Sequence, residues 1–316
     1  MSLLPSWHLT PTRQAILDFV ADVTNPRHPD FVDRASRIAV FDDDGTLWPD
    51  CPMSLQCYFL IDQIQALAPK TPAVANRQPF RALLEQDYVS LQTVSKPDLL
   101  ALFDEIHAGL TPEECAALAQ DWWGSAIHPH LGRPVGSCYF QPMQDLLAYL
   151  TEHGFVPYIL TSGSLDFARV AAAVCYGLPP ERVIGNSPRT RLKFCAERAD
   201  LVNLASLGSI APPEEAVNVL HRHLGRRPVL AAGNGLSDLA VLRYTASGPG
   251  RRLTLLINAN LPSPIASVNP APASLMRRSP PGVLPADLPR GGLMVEAERD
   301  FSQPFPTVAV PLSAVG

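Results

Sequence analysis

One stretch constrains this chain more than any other: IAVFDDDGTLWPD, residues 38 to 50. Four apolar residues, Ile38 to Phe41, run directly into Asp42, Asp43 and Asp44, then into a glycine, a threonine and a tryptophan. A short apolar run without polar alternation reads as a strand buried on both faces, which favours a parallel sheet. Its carboxyl end then carries three adjacent carboxylates. Two such charges repel by about 4 kcal/mol at roughly 4 Å and an effective dielectric of about 20. The fold must therefore separate these side chains or neutralise them.

The surrounding sequence predicts a doubly wound α/β sheet. A helix is predicted over Thr12 to Asp22, with Ala15, Ile16, Phe19 and Val20 on one face. From Cys51 to about Gln120 the periodicity is helical, and Lys96-Pro97 and Thr111-Pro112 read as N-caps followed by proline at the first helical position. No strand candidate interrupts that block, so 48–135 is read as a helical cap inserted into a core made of 1–47 and 136–316. Beyond it, helices alternate with apolar strands: MQDLLAYLTEHG then VPYIL, LDFARVAAAVCYG then RVIGNS, PEEAVNVLHRHLG then PVLAAG, LSDLAVLRY then RLTLLIN. That alternation is the signature of a Rossmann-like parallel sheet. Residues 261–290, rich in proline, alanine and serine, read as a loop, and a last strand is expected at Gly292 to Val295.

In such sheets ligands bind beyond the carboxyl ends of the strands. Three predicted strand ends here are polar: Asp42 to Thr46 after IAVF, Thr161-Ser162-Gly163-Ser164 after YIL, and Gly233-Asn234-Gly235-Leu236-Ser237-Asp238 after VLAA. They offer carboxylates, a hydroxyl with glycine-rich backbone, and a further carboxylate with an amide. Oxygen-only donors point to Mg2+, which is held by a few carboxylates, waters and substrate phosphate.

These motifs, in this order, resemble those of the haloacid dehalogenase superfamily. The wider spelling (FDDDGTLWPDCPM, QPMQDLLAYL, TSGSLDFAR, YGLPPERVIGNS, LGRRPVLAAGN) is similar to a phosphoserine-phosphatase-like subgroup of it. The resemblance implies a magnesium-dependent phosphatase acting on a small phosphorylated metabolite. Asp42 would be the nucleophile, and Asp44 the acid/base that protonates the leaving alcohol. Asp43 would be directed elsewhere, supporting the turn. Thr161 would bind a phosphoryl oxygen, with Thr46, Ser162 and Gly163 beside it. Asp42, Asp44, Asn234 and Asp238 would hold the metal.

Two departures stand against the pattern. The fourth motif reads Gly233-Asn234 where glycine-aspartate is usual. The third-motif lysine has no counterpart between Leu201 and Arg227, where Glu214, Glu215 and Ala216 stand instead. The chain has only three lysines, Lys70, Lys96 and Lys193, so Lys193 is the candidate replacement, with Arg189 and Arg191 near it. The missing lysine leaves a second reading open, a protein of the same fold that binds without turnover. A third is a lyase or transferase that diverts the leaving group.

Composition excludes other classes. A net charge of -5 with no basic stripe gives no footprint for nucleic acid. No apolar run reaches the roughly 18 residues of a membrane span, and the N-terminus lacks the pattern of a signal peptide. Six cysteines without a CxxC pair suit neither zinc nor a disulfide framework, so a cytoplasmic location is expected. His107, His128 and His130 are read as cap-surface or core residues rather than ligands, and Trp122 and Trp123 as cap packing rather than a substrate platform. The sequence does not specify the oligomeric state.

Overall fold

A computed structural model describes residues 3–50, 53–67, 78, 80–85, 87, 105–185, 189–195, 198–204, 213–259 and 287–307. The expected helix start at Lys96-Pro97 and most of the 261–290 loop lie outside the described residues. In chain order the elements are α1 (Pro11–Thr24), β1 (Ile38–Phe41), α2 (Leu55–Leu67), α3 (Phe80–Leu84), α4 (Pro112–Ser125), α5 (Gln141–Glu152), β2 (Val156–Thr161), α6 (Leu165–Tyr176), β3 (Val183–Gly185) and β4 (Thr190–Cys195). They continue with β5 (Arg198–Asn203), α7 (Pro213–Leu224), β6 (Leu230–Gly233), α8 (Leu239–Ala246), β7 (Leu253–Asn258), β8 (Leu293–Glu296) and α9 (Ala297–Asp300).

Six strands form one parallel sheet in the order β3-β2-β1-β6-β7-β8. Strand order reverses at β1, which pairs with β2 on one side and β6 on the other. A crevice opens beyond the carboxyl ends at such a reversal, because the flanking connections leave to opposite faces. The buried run IAVF is thus the central strand, and all four of its residues are buried. Its side chains alternate between two cores: Ala39 and Phe41 join the larger cluster, Ile38 and Val40 the smaller one lined by Leu220, Leu239, Val241 and Leu242. Helices therefore cover both faces of the sheet, which is why β1 carries no polar residue before Asp42.

Local signals set the helix ends. Thr10 caps α1 through Arg13 N–H, with Pro11 at its first position. The expected cap at Thr111-Pro112 is present as a reciprocal pair: Thr111 accepts from Glu114 N–H, and the Glu114 carboxylate accepts from Thr111 N–H. Gly177, with φ of 62°, ends α6 in the left-handed conformation that glycine adopts without penalty.

The helices between β1 and β2 share the larger core with the sheet. Leu55, Phe59, Trp122 and Trp123 belong to the same cluster as Phe41 and Phe167, and Phe59 packs its ring 5.3 Å from that of Phe167 and 5.5 Å from that of Trp122. The antiparallel hairpin β4-β5 was not anticipated from sequence. It lies outside the main sheet and is tied to this helical block, since Gly109 N–H donates to Asn203 O (2.8 Å) and Asn203 N–H to Leu110 O (2.9 Å). Among the described residues no helix is long and apolar enough to cross a membrane.

His107 and His128 are core residues and Trp122 and Trp123 pack with them in the interior, while His130 is partly buried. His128 is wholly buried, 5.0 Å from the Tyr58 ring between centroids, and its Nδ1 accepts from His130 and Leu131 N–H. Burial, then the neighbouring His130, pushes its pKa down from 6.5 to about 4. Between those values the unfolded chain takes up a proton that the native ring refuses, so stability falls as pH drops through this window. Urea unfolding across that pH range is expected to show this fall, and His128→Phe to flatten it; an unchanged slope would contradict the assignment. Phe59→Ala is expected to cost about 3–5 kcal/mol while keeping one unfolding transition, because helical block and sheet share a core. Two resolved transitions would show that they unfold separately.

Candidate functional site

The turn after β1 sorts its three carboxylates by burial. Asp43 is 1% exposed, while Asp42 and Asp44 on either side are half-buried. Asp43 Oδ1 accepts from Asp44 N–H at 2.9 Å, and its backbone carbonyl accepts from Thr46 N–H (3.1 Å) and Leu47 N–H (2.8 Å). Asp43 therefore builds the turn, as the sequence suggested, and its neighbours project from it. Asp42 Oδ2 accepts from Thr46 Oγ1 at 3.2 Å, and Asp42 N–H donates to Ala232 O of β6 at 2.9 Å. Asp44 Oδ1 accepts from the Trp48 indole N–H at 2.8 Å. Trp48 is fully buried, packed edge-on against Trp123 at 6.2 Å, so its N–H is a fixed donor.

At the end of β2, Thr161 is the strand's last residue and is 3% exposed. Its Oγ1 accepts from Gly163 N–H at 3.0 Å, which leaves the hydroxyl proton available to another acceptor. Ser162 is exposed, and Ser164 caps α6. Gln56, in the first turn of α2, reaches this turn: its Oε1 accepts from Ser164 N–H at 2.8 Å. Gly163 makes room for it, because a β-carbon there would lie 2.1 Å from Gln56 Nε2.

The third end belongs to β6, the neighbour of β1. Asp238 Oδ2 accepts from Asn234 N–H (2.8 Å) and Gly235 N–H (2.9 Å), folding the loop back on the strand. Gly233 allows this, since a β-carbon there would sit 2.4 Å from Asp238 Cβ. Asn234 lies directly over Gly45: a β-carbon on Gly45 would fall 1.7 Å from Asn234 Nδ2, which also faces Asp50 Oδ2 at 3.4 Å. The β1 and β6 ends are thus in contact through Gly45, Asn234 and Asp50.

A family model for haloacid dehalogenase-like hydrolases matches residues 39–243, from the second residue of β1 through most of α8. The chain belongs to the haloacid dehalogenase-like hydrolase family. Among solved structures, a conserved functionally unknown protein from Anaerococcus prevotii is similar, at 15% identity over 83% of this chain and 90% of that one, with a TM-score of 0.52. A protein with unknown function from Bordetella pertussis is 17% identical over 73% of this chain and 95% of that one, with a TM-score of 0.45. A phosphoserine phosphohydrolase-like protein from Francisella tularensis is 16% identical over 70% and 87%, with a TM-score of 0.39. The first of these shows the shared fold. No curated protein matches the chain.

Within this hydrolase fold, Asp42, Asp44 and Thr46 follow β1, Asn234 and Asp238 follow the neighbouring β6, and Thr161 ends β2, on the other side of β1, with Ser162 and Gly163 after it. Lys193 is placed differently. It is exposed on β4, opposite Asp200 in the hairpin, and not at an end of the main sheet. The reason is local: Thr190 to Cys195 forms an antiparallel pair where the sequence reading had left an unassigned connection. Arg191 is exposed on the same strand and Arg189 is exposed just before it. Ala216, which stands where the third-motif lysine was sought, is partly buried against the smaller core, and Glu215 pairs with Arg222 at 2.7 Å.

Three site residues escaped sequence reasoning. Trp48 stood inside the opening motif, and a tryptophan four residues after an acid was a signal to consider its N–H. Asp50 was visible as a further carboxylate in the same stretch. Gln56 gave none, since it reads as an ordinary helix residue. Among the described residues no group of three or more His, Cys, Asp or Glu side chains could enclose a metal. What the strand ends provide is a smaller, oxygen-only set, and magnesium accepts such a set because it keeps several waters.

Gly45→Ala tests the contact of the two strand ends. Gly45 has a φ of 80° and no room for a β-carbon. The substitution is expected to destabilise the protein by more than about 1 kcal/mol in urea unfolding, the cost of the left-handed backbone alone. A loss no greater than about 1 kcal/mol would mean Asn234 does not pack on Gly45.

Proposed function

We propose that this hydrolase is a magnesium-dependent phosphatase that cleaves small phosphomonoesters through an aspartyl-phosphate on Asp42. The observation that carries the reading is the sorting of the opening carboxylates: two half-buried aspartates, two residues apart, project from a turn built on a buried third. Asp42 attacks phosphorus as the bond to the leaving oxygen breaks, and Asp44 gives that oxygen a proton. Asp44 then takes a proton from water as the water attacks phosphorus, releasing phosphate and restoring Asp42. Trp48 fixes the Asp44 carboxylate throughout.

Thr161 donates its hydroxyl to a phosphoryl oxygen, with Ser162, Gly163 and Thr46 beside it. Asp42, Asn234 and Asp238, through side-chain oxygens, and Asp44, through its backbone carbonyl, are the residues proposed to hold magnesium. Bound there, magnesium would offset phosphoryl and carboxylate charge. The helical block within 48–135 serves as the cap that excludes water from the reaction. Phosphoserine or a similar small ester is the substrate class the resemblance suggests.

A second reading, binding without turnover, is favoured by Ala216 and Glu215 standing where the lysine was sought. The test is a screen of phosphorylated metabolites with and without magnesium, with Asp42→Asn as control. Wild type is expected to release phosphate and Asp42→Asn not to. Phosphate release by Asp42→Asn at the wild-type rate would remove Asp42 from the nucleophile's role. Failure of both wild type and Ala216→Lys on every ester would favour the second reading. Asp44→Asn is expected to lower kcat about 10²- to 10⁴-fold on alkyl phosphates. The loss should be much smaller on p-nitrophenyl phosphate, whose leaving group needs no proton.

A further inference from the structure

We propose that Gln56 is a ligand-binding residue of this site, an amide donor carried on α2 that pairs with a phosphoryl oxygen held on the Thr161–Gly163 turn. This rests on the phosphatase reading for the identity of the anion, and on the geometry of Gln56 for the rest.

Gln56 is 8% exposed, and only one end of its amide is accounted for. Oε1 accepts from Ser164 N–H, a bond between residues 108 apart in sequence. Nε2 is closed off from solvent and has no hydrogen-bond partner among the described residues. Buried donors are nearly always paired, because an orphaned one loses its hydration without replacement. An amide kept only to anchor α2 to the turn would have both ends satisfied, or would be replaced by an apolar side chain.

What the orphaned donor lies against is specific. Its nitrogen fills the space where a β-carbon of residue 163 would stand, so the glycine and the glutamine fit only together. Gly163 N–H is bound to Thr161 Oγ1 at 3.0 Å, so the hydroxyl of Thr161 is oriented by accepting there and donates elsewhere. Two donors, one hydroxyl and one amide, therefore converge on Gly163. A donor-only pair selects an acceptor-rich ligand, and a tetrahedral oxyanion presents several acceptors at once. The donors sit on different elements, one on the sheet and one on the helical block. The anion would then bridge two elements that already touch through the Gln56–Ser164 bond.

The test is calorimetric titration of orthophosphate, with Mg2+ present, into wild type, Gln56→Glu and Gln56→Met, beside turnover of p-nitrophenyl phosphate. Gln56→Glu keeps an acceptor for Ser164 N–H but loses the donor. Gln56→Met loses both without adding charge. Both variants are expected to fold with a single unfolding transition, at a Tm lowered by the buried groups they disturb, and to bind orthophosphate about tenfold or more weakly, the worth of a hydrogen bond to a charged group. Wild-type affinity in both variants, or no orthophosphate binding by wild type, would overturn the inference. Loss in Gln56→Glu alone would assign the effect to the added charge, and loss in Gln56→Met alone to the Ser164 bond; either overturns it too. The phosphatase reading fails separately. If no ester is hydrolysed while both variants still lose orthophosphate, that reading falls and Gln56 stands. If wild type hydrolyses the ester and both variants bind orthophosphate normally, only Gln56 falls.

Discussion

Three adjacent carboxylates at the end of a buried strand repel one another, and the fold answers this by turning one of them, Asp43, onto the backbone. Its side chain accepts from the Asp44 N–H and its carbonyl accepts from Thr46 and Leu47, closing the turn. Asp42 and Asp44 stay half-buried on either side of Asp43, where each finds its own donor. Thr46 and Trp48 supply those donors from within the same short stretch. The rest of the site is arranged around that turn: Asn234 packs on its glycine, and Trp48 roots it in the aromatic core.

The sheet decides what faces the turn. Because strand order reverses at β1, the loops after β2 and β6 flank Asp42 from opposite sides. Each loop depends on a glycine with a definite neighbour: Gly233 yields to Asp238, and Gly163 yields to Gln56. The helical block is not a detached lid. It shares the larger core with the sheet, it sends Gln56 to the second loop, and it anchors the β4-β5 hairpin through Asn203.

Much of this was legible in the sequence because it rests on short-range patterns. The apolar run Ile38 to Phe41 announced a doubly buried central strand, and the alternation of helices and strands announced the parallel sheet. Proline and threonine at Thr111-Pro112 marked a helix start that the capping box confirms. The hairpin was not legible, since TRLKFC and RADLVN are short, mostly exposed and mix apolar with charged residues, and the first was passed over as a connection. That is why Lys193 entered the site on paper and lies on the hairpin in the fold. Gln56 and Asp50 were missed for another reason. Their partners, Ser164 and Asn234, are 108 and 184 residues away, and only tertiary structure brings such pairs together.

The central claim is that Asp42, and not its neighbours, carries the phosphoryl group. Rapid acid quench of the enzyme turning over p-nitrophenyl phosphate in magnesium, followed by borohydride reduction, converts an acyl-phosphate aspartate into homoserine. Mass spectrometry of the peptide spanning residues 38 to 50 then locates the change. Homoserine at position 42, with Asp43 and Asp44 intact, is the expected result. Homoserine at position 44, or turnover with no reduced aspartate in the peptide, would contradict the account.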